Sequence, residues 1–316
     1  MSADISISKQ SSGRREVTGG RLHGLPALAK RFLPEWAQRS LVQAGWTLVS
    51  VGLFAAICEF CWAVGLADPK LLPPPHIFLG NFADQAKFFN TATRWSIGVN
   101  PADGPTPLEA VLITIGATTT RVLVGLLIAS VLAIALGVAI RYYVVVEKLT
   151  LPTVTLLSPV SPIAWLPVAI FLFGIGNAPA IFMVVIALFF HMVLATINQI
   201  DGVNKNLINV ARTMGATQAQ TYSRVIIPAI LPGLLVVLRL NLFGAWMVVL
   251  VAESTGVGYG LGQVIMLARN TFNPSLVFFT IALIGLLGFF SDWLLRQIQK
   301  RVLYWVPETS GVLRGL

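Results

Sequence analysis

The sequence predicts an all-α polytopic membrane protein with about six transmembrane helices. Two observations carry that reading. The 316 residues are 56% hydrophobic and only 11% charged, with a mean hydropathy of +0.79, whereas soluble domains carry roughly 25% charged residues. The apolar residues also fall into runs near 41–64, 110–140, 149–174, 178–198, 230–252 and 275–298, each near the ~20 residues that a spanning helix needs.

The first run follows about forty residues, too long a lead for the start of a cleavable signal, and reads as a retained anchor. The second is over-long and is expected to tilt or project. The third carries Pro152, Pro159, Pro162 and Pro167, so a plain helix is excluded. Residues 65–108 form a long connection: an extended LADPKLLPPP stretch, a surface helix near 77–90, and a Gly/Pro loop NPADGPTP. The division expected is a leading segment 1–40, a first span with its connection 41–108, a core 109–303, and a tail 304–316.

A net charge of +9 does not signal nucleic acid in such a chain. It reflects loop bias. With the N-terminus in the cytoplasm, sixteen Lys and Arg fall inside and four outside (Lys70, Lys87, Arg94 and Arg269). The positive-inside rule then places both termini and the 201–228 loop in the cytoplasm. Arg121 and Arg239 lie within spans, as do Glu59 and Asp292.

That loop, DGVNKNLINVARTMGATQAQTYSRVIIP, is longer than a connection requires. Val203, Leu207, Val210, Ala211 and Met214 share one helix face. Gly215 is a helix stop, and Thr217 with Gln220 forms a capping box that starts a second helix. Pro228 and Pro232 are expected to mark the turn back into the membrane. A short bent element with an apolar knob suits a groove on a soluble partner; an amphipathic helix lying on the bilayer is the other reading.

The spacing Ala211, Gly215, Val225, Ile227-Pro228 resembles the "EAA" signature of bacterial ABC-importer permeases, with Asn209 and Val210 in place of that signature's Glu and first Ala. SPVSPIAWLPVAIFLFGIG (158–176) and LLPPP (71–75) are similar to elements of the nitrate/sulfonate/taurine/bicarbonate branch. The resemblance covers roughly 65–305. It implies a type I (MetI-like) permease core in the bacterial inner membrane and a homodimer of two permease copies around one path. It further implies two ATPase subunits that bind ATP and Mg and receive coupling helices within 201–224 (Val203, Leu207, Val210, Ala211, Arg212, Met214, Gly215, Thr217), and an external solute-binding protein. The substrate implied is a small anion such as nitrate, a sulfonate or taurine; riboflavin- and pyrimidine-type importers share the branch, so a non-anionic solute stays open.

Irregular backbone at membrane depth survives only when buried in protein or lining a cavity, which puts Ser158, Ser161 and Trp165 near the path. Arg239 is read either as positive potential for an anion or as snorkelling to the interface, and Glu253 as a gate element or a cap on the neighbouring Gly-rich turn. TGVGYGLG (255–262) resembles a potassium-channel filter, which makes an ion channel with a Gly-rich filter at 255–260 the alternative, but Gly256 breaks the even carbonyl spacing a filter needs; a flexible external turn is expected instead. No phosphate-cradling G-x-x-x-x-G-K-[ST] occurs, so no ATPase or other enzyme is expected in this chain. No catalytic residue, cofactor or metal site is expected: Cys58 and Cys61 lie in an apolar run as small buried hydrophobes, and His23, His76 and His191 have no ligand spacing.

Overall fold

The structure is a computed structural model that describes residues 35–65, 73–89, 106–256 and 258–304. Contacts divide it into two units, Met1–Leu66 and Ala67–Leu316. The described part of the first is one helix, α1 (Glu35–Ala63). It exposes Val49, Leu53, Phe54, Ile57 and Phe60, and Cys58 and Cys61 are half-buried free thiols rather than buried ones.

All regular secondary structure in the described part of the second unit is helical. Short helices α2 (Pro75–Gly80) and α3 (Phe82–Ala86), closed by a 3₁₀ turn Lys87–Phe89, precede α4 (Pro107–Tyr142). Next come α5 (Val144–Leu157), a 3₁₀ turn Pro162–Trp165, α6 (Leu166–Phe173) and α7 (Asn177–Asp201). Then follow α8 (Lys205–Thr213), α9 (Gln218–Thr221), a π turn Tyr222–Ile226 and α10 (Ile227–Gly256). Last are α11 (Leu261–Asn270) and α12 (Pro274–Val302). The connection NPADGPTP lies mostly outside the described residues, as do 1–34 and the tail from 305.

Four described helical runs are long and apolar enough to span a membrane: α4, α7, Gln218–Thr255 and α12. The Pro-rich pair α5/α6 bends by 103° at its break, and counts as a fifth if the two halves make one span. The first run of the sequence falls on α1, whose apolar described portion is Val49–Ala63.

Small residues set how closely the central helices approach. Gly125, Ala129, Ala133 and Gly137 are all buried, spaced by four along α4. A Cβ on Gly125 would lie 2.7 Å from Val184, and one on Gly137 2.7 Å from Thr196. Helices in lipid gain little from apolar burial alone and associate by such close packing. The stripe therefore seats α7 directly on α4, and α10 covers the other flank of α7 through Leu242, Ala245 and Val249.

The 73–89 segment is not a free surface helix. Phe89 is buried and meets Phe279 edge-on at 5.9 Å, Phe78 stacks on Phe278, and the Thr114 hydroxyl donates to the Phe89 carbonyl. The segment is docked on the N-terminal parts of α4 and α12. A capping box between Thr106 and Glu109, with Pro107 in the first turn, starts α4 at that same end.

Candidate functional site: a projecting helix and two ion-pair junctions

At the C-terminal ends of α4 and α7 stands α8. Asn204 caps its start by accepting from the Asn206 N–H. Its end is a Schellman motif: the Ala216 N–H donates to the Ala211 carbonyl, the Gly215 N–H donates to that of Arg212, and Gly215 takes φ +82°. That left-handed conformation costs other L-residues roughly 1–2 kcal/mol, which accounts for glycine there. Thr217 and Gln220 then complete both bonds of the capping box that opens α9.

The apolar positions divide between two faces. Leu207, Val210 and Met214 are exposed, Met214 by 83%. Val203 does not join them; it packs inward with Ile208 and Tyr222 on Ile200, Ile226, Ile230 and Leu234. Ala211 is half-buried, and Arg212 and Thr217 are exposed. Between α8 and the long helices lies a cavity of about 500 Å³, lined in part by Arg141, Asp201, Arg212 and Tyr222.

The expected turn at Pro228 and Pro232 is absent: Gln218–Thr255 is one helical run. Pro228 has no N–H and its ring crowds the carbonyl one turn back. The π turn just before it, where the Ile227 N–H donates five residues back to Tyr222, widens the spiral and lets the helix continue. Motion of α9 is thus motion of α10.

One arginine ties this end together. Arg141, at the end of α4, pairs with Glu147 of α5 and Asp201 of α7, each at 2.5 Å, and its carbonyl accepts from the Tyr222 hydroxyl at 2.7 Å. Both neighbours of α8 are therefore fastened to the same residue.

A second junction lies toward the opposite ends of these helices. Arg121 and Glu253, 2% and 0% exposed, pair at 2.5 Å. Glu253 also accepts from the Thr118 hydroxyl and the Gly262 N–H. Arg121 donates to the Asn177 side-chain carbonyl through Nε and Nη2 and to the Tyr259 carbonyl through Nη1, and its guanidinium lies 4.3 Å from the centre of the Tyr259 ring. Four elements (α4, α7, α10 and the turn into α11) meet on one salt bridge. Glu253 therefore caps the Gly-rich turn, and the described part of that turn is pinned rather than loose. The Tyr259 carbonyl is spent on Arg121, so this stretch does not present the free row of carbonyls a filter uses.

Ser158, Ser161 and Trp165 sit at the α5/α6 bend. Ser158 ends α5 half-buried, Ser161 is exposed ahead of the 3₁₀ turn, and Trp165 packs on Ala169, Ala180, Met183 and Ala252. The bend so leans on α7 and α10 near Glu253. Arg239 stands apart from these residues. It neither snorkels alone nor presents unpaired charge, because it pairs with Asp292 of α12, which also holds Arg296. Tyr259 and the glycines of this junction lie in the stretch read from sequence as a flexible turn, and Asn177 was not singled out; the signal available for it was the lone Arg121 in an apolar run, whose burial demands partners.

Residues 110–304 match the family described as binding-protein-dependent transport system inner membrane component. The chain belongs to that family. The match spans more than half of the chain, from α4 to the end of α12. The permease is 36% identical over 189 residues to a probable ABC transporter permease protein of Brucella melitensis, covering 60% of this chain and 77% of that one. It is 28% identical over 267 residues to the taurine transport system permease protein TauC of Escherichia coli K12, covering 83% and 91%. It is 30% identical to the nitrate import permease protein NrtB of Leptolyngbya laminosa, covering 61% and 68%. Among solved structures, an inward-facing form of the MetNI methionine ABC transporter aligns with TM-score 0.49 at 20% identity, covering 60% of this chain and 95% of that one.

Proposed function

We propose that this permease imports a small anion, of the nitrate, sulfonate or taurine kind, driven by ATP that partner subunits hydrolyse. Its relatives carry the substrate class: their names give taurine, aliphatic sulfonates and nitrate as cargo. The mechanical part rests on the exposed Leu207, Val210 and Met214, on a helix whose both ends are fixed by caps. Such an apolar i, i+3, i+7 face fits a groove on a soluble partner.

In this reading α8 lies in the cytoplasm, as the Lys/Arg bias of the loops requires. Each of two ATPase subunits, with its ATP and Mg, receives the α8 of one permease copy, two copies enclose the path, and a solute-binding protein delivers the anion from outside. Closure of the ATPases pushes α8. Arg141 and the unbroken helix from Gln218 pass that push to α4, α5, α7 and α10.

The test is uptake of labelled nitrate and taurine by the assembled complex in proteoliposomes. ATP-dependent accumulation of either is expected. Downhill flux of potassium without ATP, or import only of an uncharged solute, contradicts the proposal.

A further inference from the structure

The middle of the α7–α10 pair carries two polar side chains that no ion pair or cap explains. His191 lies fourteen residues from the start of α7 and ten from its end, so roughly 20 Å and 15 Å from the two ends at 1.5 Å per residue. It is exposed, on a helix whose other exposed positions lie at its ends. Asn241 lies at the centre of α10 and is half-buried.

Two close approaches fix their relation. Gly244 lies against the Leu188 side chain, and Gly233 lies against that of Gln199. From Leu188 to Gln199 and from Gly244 back to Gly233 are equal numbers of residues, so the helices run antiparallel in constant register. That register sets His191 level with Asn241. Trp165, at the α5/α6 bend, packs on Ala180 and Met183 of α7 and Ala252 of α10, two to three turns nearer the Arg121–Glu253 end. The bend thus covers the pair on one side of this level, and the polar groups begin below it.

We propose that His191 and Asn241 form the point within the membrane at which the permeating oxyanion is bound, beneath Trp165. This rests on the anion reading above. An ionisable side chain at mid-depth faces a bundle interior or a water-filled cavity rather than lipid. The His191 Nδ1 lies 3.3 Å from the Ala187 carbonyl oxygen one turn back. Nε2 is then the ring nitrogen left for a ligand, and an N–H there donates to an oxyanion such as nitrate or a sulfonate. Asn241 donates one Nδ2 N–H to the Val237 carbonyl, which leaves its second N–H for the oxyanion. The ion pairs on the packed elements engage other charged groups, and Lys148 of α5 is exposed near the Arg141 end. Arg121 and Glu253 pair toward one end, Arg141 with Glu147 and Asp201 at the other, and Arg239 with Asp292 on α12.

The experiment uses the full complex with its ATPase and binding protein. His191→Ala should lower nitrate or taurine uptake at least tenfold while ATP hydrolysis stimulated by the loaded binding protein persists, and His191→Gln should retain more uptake than His191→Ala. A second measurement needs no transport: in a Cys58→Ser/Cys61→Ser background, His191→Cys should react with a charged, membrane-impermeant thiol reagent, and nitrate or taurine should slow the reaction. Normal uptake by His191→Ala, or an unreactive His191→Cys in a folded complex, overturns the assignment and leaves the anion reading standing. Import of neither anion by the unaltered complex overturns both.

Discussion

Arg121 and Glu253 stand 132 residues apart in the chain and form a salt bridge of 2.5 Å from which water is excluded. Thr118, Asn177, Gly262 and the Tyr259 carbonyl all hydrogen-bond to one member of this pair. Removing one partner leaves an uncompensated buried charge, which costs about 3–5 kcal/mol. Arg121→Met is therefore expected to lower the thermal midpoint of the purified permease sharply. Arg121→Met with Glu253→Leu should recover part of the loss, because no bare charge remains. A double variant no better than the single one would show that the cost is lost packing, not charge.

The glycines beside Glu253 are required for space. A Cβ on Gly260 would lie 2.4 Å from the Glu253 carboxyl carbon, and one on Gly262 2.2 Å from the Leu250 carbonyl oxygen. At Gly258 a Cβ meets nothing within 4 Å, and only its φ of +83° resists substitution. Gly262→Ala should destabilise by more than Gly258→Ala, whose cost is about 1–2 kcal/mol. Thermal unfolding of the two variants in one detergent decides the order.

The α4–α7 contact makes a parallel claim. Gly125→Val forces a side chain into Val184, an overpacking that typically costs 1–3 kcal/mol. Gly116→Val, on the same helix, meets nothing within 4 Å and should cost only the propensity difference. Equal loss of stability from both would remove the small-residue stripe as the cause of close packing.

At the other end, Leu207→Asp should leave the permease folded, since that side chain is 51% exposed, yet abolish stable association with the ATPase. Val203→Asp should instead destabilise the permease itself, because Val203 faces inward. Co-purification with the ATPase and thermal stability, measured on both, separate the two faces. Loss of stability in both variants would put Leu207 inside the fold.

What the sequence made legible is local. Hydropathy located the long spans, and the four prolines excluded a plain third helix. Gly215 and the Thr217–Gln220 box were readable because a cap is decided within a few residues. Pro228 misled for the same reason: its cost is met by a π turn of five residues, invisible to a propensity argument. Val203 has the right helical spacing for the exposed face, but it precedes α8, so helical periodicity does not govern it. Arg121, Glu253, Asn177 and Tyr259 converge only through tertiary packing, and Arg239 finds Asp292 the same way. The Gly125–Ala129–Ala133–Gly137 stripe was present in the sequence, and reading small residues at a spacing of four would have found it.

The central claim is that α8 is the point where the ATPase pushes. Met214, 83% exposed at the end of α8, gives the most direct measurement. Met214→Cys, in the Cys58→Ser/Cys61→Ser background, should cross-link to the ATPase subunit in the assembled complex, with a yield that changes when nucleotide is hydrolysed. A Met214→Cys that reacts only with lipid-soluble reagents and never with the ATPase would contradict the account.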